Sequence, residues 1–454
     1  MSETRIIVLD DDPTGSQTVH GCLLLTRWDA DTLRQGLVDA APLFFVLTNT
    51  RGMSADRAAE VTREVCVNLR QALDRLAGEG RTINPLLVSR SDSTLRGHYP
   101  VETDVIAEQL GPFDAHFLVP AFFEGGRFTR GSVHYLKVDG VPVPVHQTEF
   151  GRDSVFGYRH SYLPDYVAEK TAGRIAAAGV ERFLLEDIRG DVQARLMALA
   201  DNRCCVVDAE RQEDLDGFCT QLLACAARGK RYLFRSAASL LTSLARLPPQ
   251  PVAADGMRAY TRGGRPGAVI VGSHVNRTTA QLQALLAMPG VTPIEVDVAR
   301  IDAERDAMLE SLLARARQAH RDGLTSVIYT SREELAFPDR ATRLAFGERV
   351  SALLMDVVRG LPESLGFLIS KGGITSNDVL SSGLALPAAR VLGQILPGCS
   401  VVRCGDDHPR YPGMPVVIFP GNVGDDLALA RAWARLAGSD EPAECGAPPR
   451  AATQ

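Results

Sequence analysis

Short runs of Val, Ile, Leu and Phe alternate with longer amphipathic stretches along almost the whole chain, and this rhythm restricts the fold more than any other feature. Short apolar runs bounded by turn residues suit buried strands, and apolar residues recurring every helical turn suit helices. Their regular alternation gives parallel sheets covered by helices. In the first half, strands are expected at residues 6–9, 43–47, 86–88, 117–119, 183–185 and 205–207. A helix is expected over 55–76, where Val61, Val65, Leu69, Leu73 and Leu76 share one face. In the second half, strands are expected at 268–271, 327–330, 367–370, 401–403 and 416–419.

A chain of 454 residues is too long for one ordinary core. The texture changes at Leu247-Pro248-Pro249-Gln250-Pro251 and again through Thr261-Arg262-Gly263-Gly264-Arg265-Pro266-Gly267. The expected fold class is therefore α/β with two domains, each a mainly parallel sheet flanked by helices. The expected divisions are an N-terminal domain at 1–246, a linker at 247–267, a C-terminal domain at 268–437 and a disordered tail at 438–454. Residues 140–159, with their prolines and Tyr, His and Arg content, read as a long functional loop.

Ile6-Ile7-Val8-Leu9 runs straight into Asp10-Asp11-Asp12-Pro13-Thr14-Gly15. Adjacent carboxylates repel, so three at a strand end point to a magnesium ion, a proton in transit or a substrate hydroxyl rather than to stability. A solvated turn is the plain alternative. After the run at 86–88 comes Ser89-Arg90-Ser91-Asp92-Ser93-Thr94-Leu95-Arg96-Gly97-His98. The guanidiniums of Arg90 and Arg96 suit a ligand carboxylate or phosphate; Asp92, Ser93 and Thr94 suit a polyol. A helix starting near Thr94 would add its positive end. Asn49 and Arg51 follow a third strand and are placed to reach the same ligand. Pro120-Ala121-Phe122-Phe123-Glu124-Gly125-Gly126-Arg127 follows a fourth, where Arg127 and the glycines suit an anion. Four strands releasing polar loops at one edge describe a cleft for a small hydroxy acid.

The second half carries glycine-rich loops. Gly272-Ser273-His274-Val275-Asn276, Lys371-Gly372-Gly373-Ile374-Thr375 and Pro420-Gly421-Asn422-Val423-Gly424 each follow a strand. Paired glycines let backbone N–H groups approach phosphate oxygens, Ser273 and Thr375 add donors, and Lys371 offers a point charge. Each motif alone is an ordinary turn; three in one domain favour a nucleotide-phosphate site. There is no Walker A sequence, dinucleotide fingerprint or protein-kinase signature set.

Other classes fall away. The net charge of −6 and the lack of a basic run argue against nucleic acid. No apolar stretch approaches the roughly 20 residues of a membrane span. The polar start, Met1-Ser2-Glu3-Thr4, does not read as a signal peptide. Nine scattered cysteines form neither a zinc nor a disulfide pattern, which fits reduced thiols and a cytoplasmic location.

Taken in order, the segments Asp11–Gly15, Ser91–Gly97, Pro120–Gly126, Lys371–Ser376 and Pro420–Gly424 resemble the four-carbon acid sugar kinase family, and the resemblance runs from Asp10 to about Leu429. It implies an N-terminal domain for a four-carbon sugar acid, a C-terminal domain for ATP, and phosphoryl transfer to the acid's terminal hydroxyl. By position it places Asp12, Arg90, Asp92, Ser93 and Arg96 on the substrate side, and Ser273, Gly372, Gly373, Thr375 and Gly421 on the ATP side. Ile374 departs from a position where many members have Glu, and Val423 stands where Phe is also familiar. In the mechanism this implies, Asp12, with Asp11 as second candidate, accepts the hydroxyl proton, and Mg2+ bridges the terminal phosphates. Arg90 and Arg96 fix the carboxylate, while Asp92 and Ser93 bind hydroxyls. Closure of the domains would exclude water. The metal's protein ligands are not legible, and the oligomeric state is open, although two-domain metabolic enzymes are often symmetric homodimers.

Two rivals remain at this level. Asp10-x-Asp12-x-Thr14 fits the nucleophile motif of haloacid-dehalogenase-like phosphatases, with Asp10 attacking. A non-catalytic sugar-acid sensor is the other.

Overall fold

The apolar runs pair into strands and the amphipathic stretches into helices, giving an α/β protein whose sheets are mainly parallel and flanked by helices. The computed structural model describes residues 3–273, 275–332, 335–421 and 423–442. Asn422 and the tail from 443 onward therefore lie outside the described residues. The chain forms two compact units, Met1–Gln250 with Pro387–Gly393, and Pro251–Leu386 with Gln394–Gln454.

The strands up to residue 250 are β1 (Glu3–Asp10), β2 (Leu23–Leu25), β3 (Leu43–Leu47), β4 (Ile83–Arg90), β5 (Ala115–Val119), β6 (Arg127–Arg130), β7 (Val133–Val138), β8 (Val141–Pro144), β9 (Glu181–Phe183), β10 (Arg203–Val207) and β11 (Tyr232–Ser236). Then follow β12 (Ala268–Val271), β13 (Val291–Val296), β14 (Thr325–Thr330), β15 (Leu368–Lys371), β16 (Ala388–Leu396), β17 (Cys399–Cys404) and β18 (Pro415–Phe419).

In the first unit the order β2-β3-β1-β4-β11-β5-β10-β9 is parallel throughout. The start of β16 adds an antiparallel edge beside β2. From β1 the chain winds out to β3 on one side and then to β4 on the other, so β1 and β4 flank a switch point, where open α/β sheets bind ligands. The register aligns Leu47, Asp10, Arg90, Ser236 and Val119 as one row at the C-terminal edge. One face is sealed by helices Ala30–Val38, Ala55–Gly78 and Val101–Leu110 over Ile7, Leu9, Phe44, Val46 and Leu87. Helix Ala55–Gly78 forms because its apolar face recurs each turn and Ser54 caps Arg57 N; Val61, Val65, Leu69 and Leu76 are buried. Burial of each such side chain contributes about 1.5–3 kcal/mol.

Two local expectations change. No helix begins near Thr94, because Leu95 (φ 67°) and Gly97 (φ 118°) turn left-handed, and the helix starts only at Val101. Part of 140–159 is regular: β8 joins β6 and β7 in a small antiparallel sheet, followed by a 3₁₀ turn at Val145–Gln147.

In the second unit the order is β13-β14-β12-β15-β18-β17, parallel except for the β17–β18 pair. Tyr329, Val271, Lys371 and Phe419 form the last row at its C-terminal edge. Residues 251–267, read above as a linker, carry 3₁₀ helices Ala254–Tyr260 and Arg262–Gly264 within this unit. Thr261 Oγ1 bonds Leu436 O at 2.9 Å, and Arg262 Nη1 bonds Glu363 O at 2.9 Å, which ties the segment down.

Candidate active site

Strand β1 ends at Asp10 and leads into Asp11 and Asp12, and the three aspartates meet different surroundings. Asp10 ends the strand and is 0% exposed. Its Oδ1 meets Arg90 Nη1 at 3.1 Å, and its Oδ2 has no partner among the described residues. Gly15 folds directly over it: a Cβ there would lie 1.9 Å from Oδ2, so only glycine fits. Burial drives the Asp10 pKa up to about 7, against the pull of Arg90.

Asp11 is also buried, with Oδ2 taking Ser91 Oγ at 2.6 Å and Arg51 Nε at 3.2 Å, and Oδ1 taking Arg51 Nη2. Asp12 differs. Its side chain is 22% exposed, Oδ1 accepts from Thr14 N at 2.9 Å and from Thr14 Oγ1, and Oδ2 stands 3.4 Å from Arg51 Nη1. Burial pushes its pKa up, but Arg51, Arg90 and the Thr14 bonds outweigh that and hold it below the usual carboxylate value.

The loop after β4 is held from within and from below. Asp92 Oδ2 accepts from Arg96 Nε at 2.8 Å and from Thr94 Oγ1. Burial raises its pKa, yet Arg96 and Arg51 keep it well below the ordinary range. The loop's carbonyls are pinned at Ser93 by His134 Nε2 (2.8 Å), at Thr94 by Tyr158 OH (2.6 Å) and at Leu95 by Tyr166 OH (2.8 Å). Burial holds the His134 pKa down at about 4, so this ring is neutral. Gly97 is required: a Cβ would fall 2.4 Å from Ser91 Oγ and 2.9 Å from Asp11 Oδ2.

The expected residues converge unevenly. Asp11, Asp12, Arg51, Asp92 and Arg96 share one electrostatic neighbourhood. Asn49 takes left-handed backbone (φ 53°) at the start of the 3₁₀ turn that carries Arg51. Arg90 is only 3% exposed and faces Asp10, so it stands behind the edge rather than on it. Sequence reasoning missed Arg235 and Ser236 at the end of β11. Arg235 bonds Glu102 Oε2 (2.5 Å), Ser89 Oγ (2.7 Å) and Ser91 Oγ (2.8 Å), bracing the loop. With Ser91, Asp92, Arg96 and Pro120 both line a small cavity, and Ser236 Oγ is buried there without a partner among the described residues. The signal was present: Leu233-Phe234-Arg235-Ser236 repeats the apolar-then-polar pattern of β4.

The glycine loops of the second unit also converge. A Cβ on Gly372 would lie 3.2 Å from Ser273 Cβ, one on Gly272 would lie 2.5 Å from Thr375 Oγ1, and one on Gly421 would lie 3.7 Å from Ser273 Oγ. Thr278 Oγ1 bridges Ser273 Oγ (3.3 Å) and Gly421 O (3.1 Å). Gly372 has φ 116° and precedes the short helix Gly373–Asp378, on which Ile374 is 75% exposed. Lys371 does not face outward as a point charge. It is fully buried, donates to Pro420 O (2.6 Å) and Gly421 O (3.2 Å), and lies over the Phe419 ring. Burial lowers its pKa to about 7. Arg332, unremarked in the sequence, donates to Ser273 O at 2.5 Å. Among the described residues, no three His, Cys, Asp or Glu side chains are grouped to hold a metal ion, and no helix is long and apolar enough to cross a membrane.

A charged, hydroxyl-rich cradle on one sheet edge and a glycine–hydroxyl cradle on another define a two-site α/β protein for small polar ligands. Comparison with known proteins gives the same division. Residues 6–244 match a sugar-binding N-terminal domain and residues 268–429 a nucleotide-binding C-terminal domain. The chain belongs to the four-carbon acid sugar kinase family that these two domains define. A protein of Cupriavidus necator named D-threonate kinase is 27% identical over 80% of this chain and 83% of its own length. One of Heliobacterium modesticaldum named D-erythronate kinase is 27% identical over 47% of each, so this chain matches about half of that relative. A solved structure from Salmonella typhimurium LT2 shares the fold, with a TM-score of 0.68 at 20% identity over 94% of this chain and 98% of that one.

Proposed function

We propose that the protein transfers the γ-phosphoryl group of ATP to the terminal hydroxyl of a four-carbon sugar acid of the threonate, erythronate or 3-oxo-tetronate type. The observation that carries the reading is the contrast among the three aspartates. Only Asp12 keeps a partly exposed carboxylate, held in place by Thr14 through one oxygen and left with the other near Arg51. It is ionised at neutral pH and oriented to take a proton from a hydroxyl beside it. Its low basicity suits phosphoryl transfer, in which the nucleophile's proton leaves late and positioning dominates. Asp11, enclosed by Arg51 and Ser91, positions that pair instead.

Ser273, Thr375 and the backbone N–H groups of Gly372, Gly373 and Gly421 form the cradle for the nucleotide's phosphates, in keeping with the relatives' kinase names. Lys371 acts from beneath by fixing the carbonyls of 420 and 421. Mg2+ would arrive with the nucleotide, held mainly by phosphate oxygens and water, and would neutralise charge on the transferred group.

The phosphatase alternative requires Asp10 to attack phosphorus, yet Asp10 is fully buried under Gly15. The test is ADP release from ATP and magnesium across a panel of four- and five-carbon sugar acids, with hydrolysis of their phosphates run without ATP. ADP release dependent on one acid supports the kinase. Phosphate release without ATP overturns it.

A further inference from the structure

The sugar acid's carboxylate needs a cation that is not already neutralised, and most guanidiniums around the first cradle fail that requirement. Arg51 pairs with Asp11 and Asp12, Arg96 with Asp92, and Arg235 with Glu102, while Arg90 is 3% exposed and turned to Asp10 behind the edge, out of a ligand's reach. Arg127 is different. It opens β6, at the end of the loop that leaves β5 beside Ser236. Its Nη1 donates to Gly125 O at 2.5 Å, its Nε is buried without a partner, and no carboxylate lies within ion-pair distance among the described residues.

The position is built. A Cβ on Gly125 would lie 2.1 Å from Arg127 Nη1 and 2.5 Å from the Phe122 ring, so the glycine makes the room that the guanidinium occupies. The backbone holds it as well, through Arg127 N to Phe122 O at 2.8 Å. Burial pulls the Arg127 pKa below the ordinary guanidinium value, with Asp92 opposing and Arg96 adding to the pull. Carboxylates push Arg51, Arg96 and Arg235 the other way. Arg127 is partly buried, with its Nε fully so; a cation in that setting without a counter-ion is costly, and an arriving carboxylate relieves that cost with charge-assisted hydrogen bonds.

We infer that Arg127 is the carboxylate anchor of the sugar-acid site and sets its preference for acids over neutral polyols, an inference that rests on the kinase reading above. Arg96, in contact with Asp92 and Phe150, then shapes the cradle.

The test is calorimetric titration of the full chain with D-threonate, D-erythronate and their uncharged primary amides, with ATP turnover measured alongside. In Arg127→Gln, affinity for the bound acid should fall about 10- to 100-fold, while amide affinity and the KM for ATP stay unchanged. Arg127→Lys keeps the charge but loses the planar fork, and its acid-over-amide preference should drop at least about threefold. This second variant carries the test if the first does not fold. An unchanged acid-over-amide preference in the folded variants overturns the anchor and leaves the kinase standing if acid-dependent ADP release persists. Absence of both acid binding and acid-dependent ADP release in the unaltered protein overturns both.

Discussion

Replacing Asp10 with Asn tests the buried end of β1 through pH. In the folded protein, burial raises this carboxyl from an ordinary 3.8 to about 7, so it stays protonated where the unfolded chain has released its proton. The folded state then binds the extra proton between those values, and its stability falls as pH rises through that window and levels off above it. Asn copies the protonated carboxyl in shape and does not titrate. With those two pKa values, the stability difference between the unaltered protein and Asp10→Asn should shift by about 2.5 kcal/mol, in favour of the variant, from about pH 5 to about pH 8. Urea unfolding of both proteins across that range measures it, using the transition of the first unit. A difference that stays flat, or that moves in favour of the unaltered protein as pH rises, refutes the reasoning and makes Asp10 an ordinary ionised partner of Arg90.

Asp12→Asn should lower turnover by at least about a hundredfold with sugar-acid affinity retained, read by steady-state kinetics and calorimetry. Lys371 has the opposite sign to Asp10: its folded pKa is lowered from 10.5 to about 7, so its contribution to stability grows as pH climbs between those values. Lys371→Met should remove that slope from the second unit's unfolding curve and raise the KM for ATP by loosening residues 420 and 421. Gly372→Ala places a Cβ 3.2 Å from Ser273 Cβ at φ 116°. It should cost about 1–3 kcal/mol in the second unit's unfolding and weaken ATP more than the sugar acid.

The sheets and their polar edges were legible because apolar runs and the turn residues that end them are local signals. The loops after β1, β3, β4 and β5 could thus be read as one edge before any pairing was known. What could not be read depends on contacts made far along the chain. The row that sets Ser236 beside Arg90 joins residues 146 apart in number. Arg235 matters because Glu102 and Ser91 surround it, and neither is near it in sequence. The late helix start at Val101 follows from the left-handed backbone at Leu95, a residue type that gives no hint of it. Lys371 looked like a phosphate ligand beside two glycines, but the carbonyls of Pro420 and Gly421 decide where its ammonium goes.

The seven residues Pro387–Gly393 bear on how the chain is made. They lie beside β2, with Ala388, Ala389 and Arg390 opposite Leu25, Leu24 and Leu23, and Arg390 grips Asp39 through two bonds of 2.7 and 2.8 Å. On the ribosome, everything else in the first unit emerges some 137 residues before this strip does. Until then the backbone of β2 offers an open strand edge, a template for pairing with another nascent copy. A fragment ending at Gln250 would keep that edge permanently, so expression of the isolated N-terminal half should be limited by self-association unless the strip is supplied as a peptide.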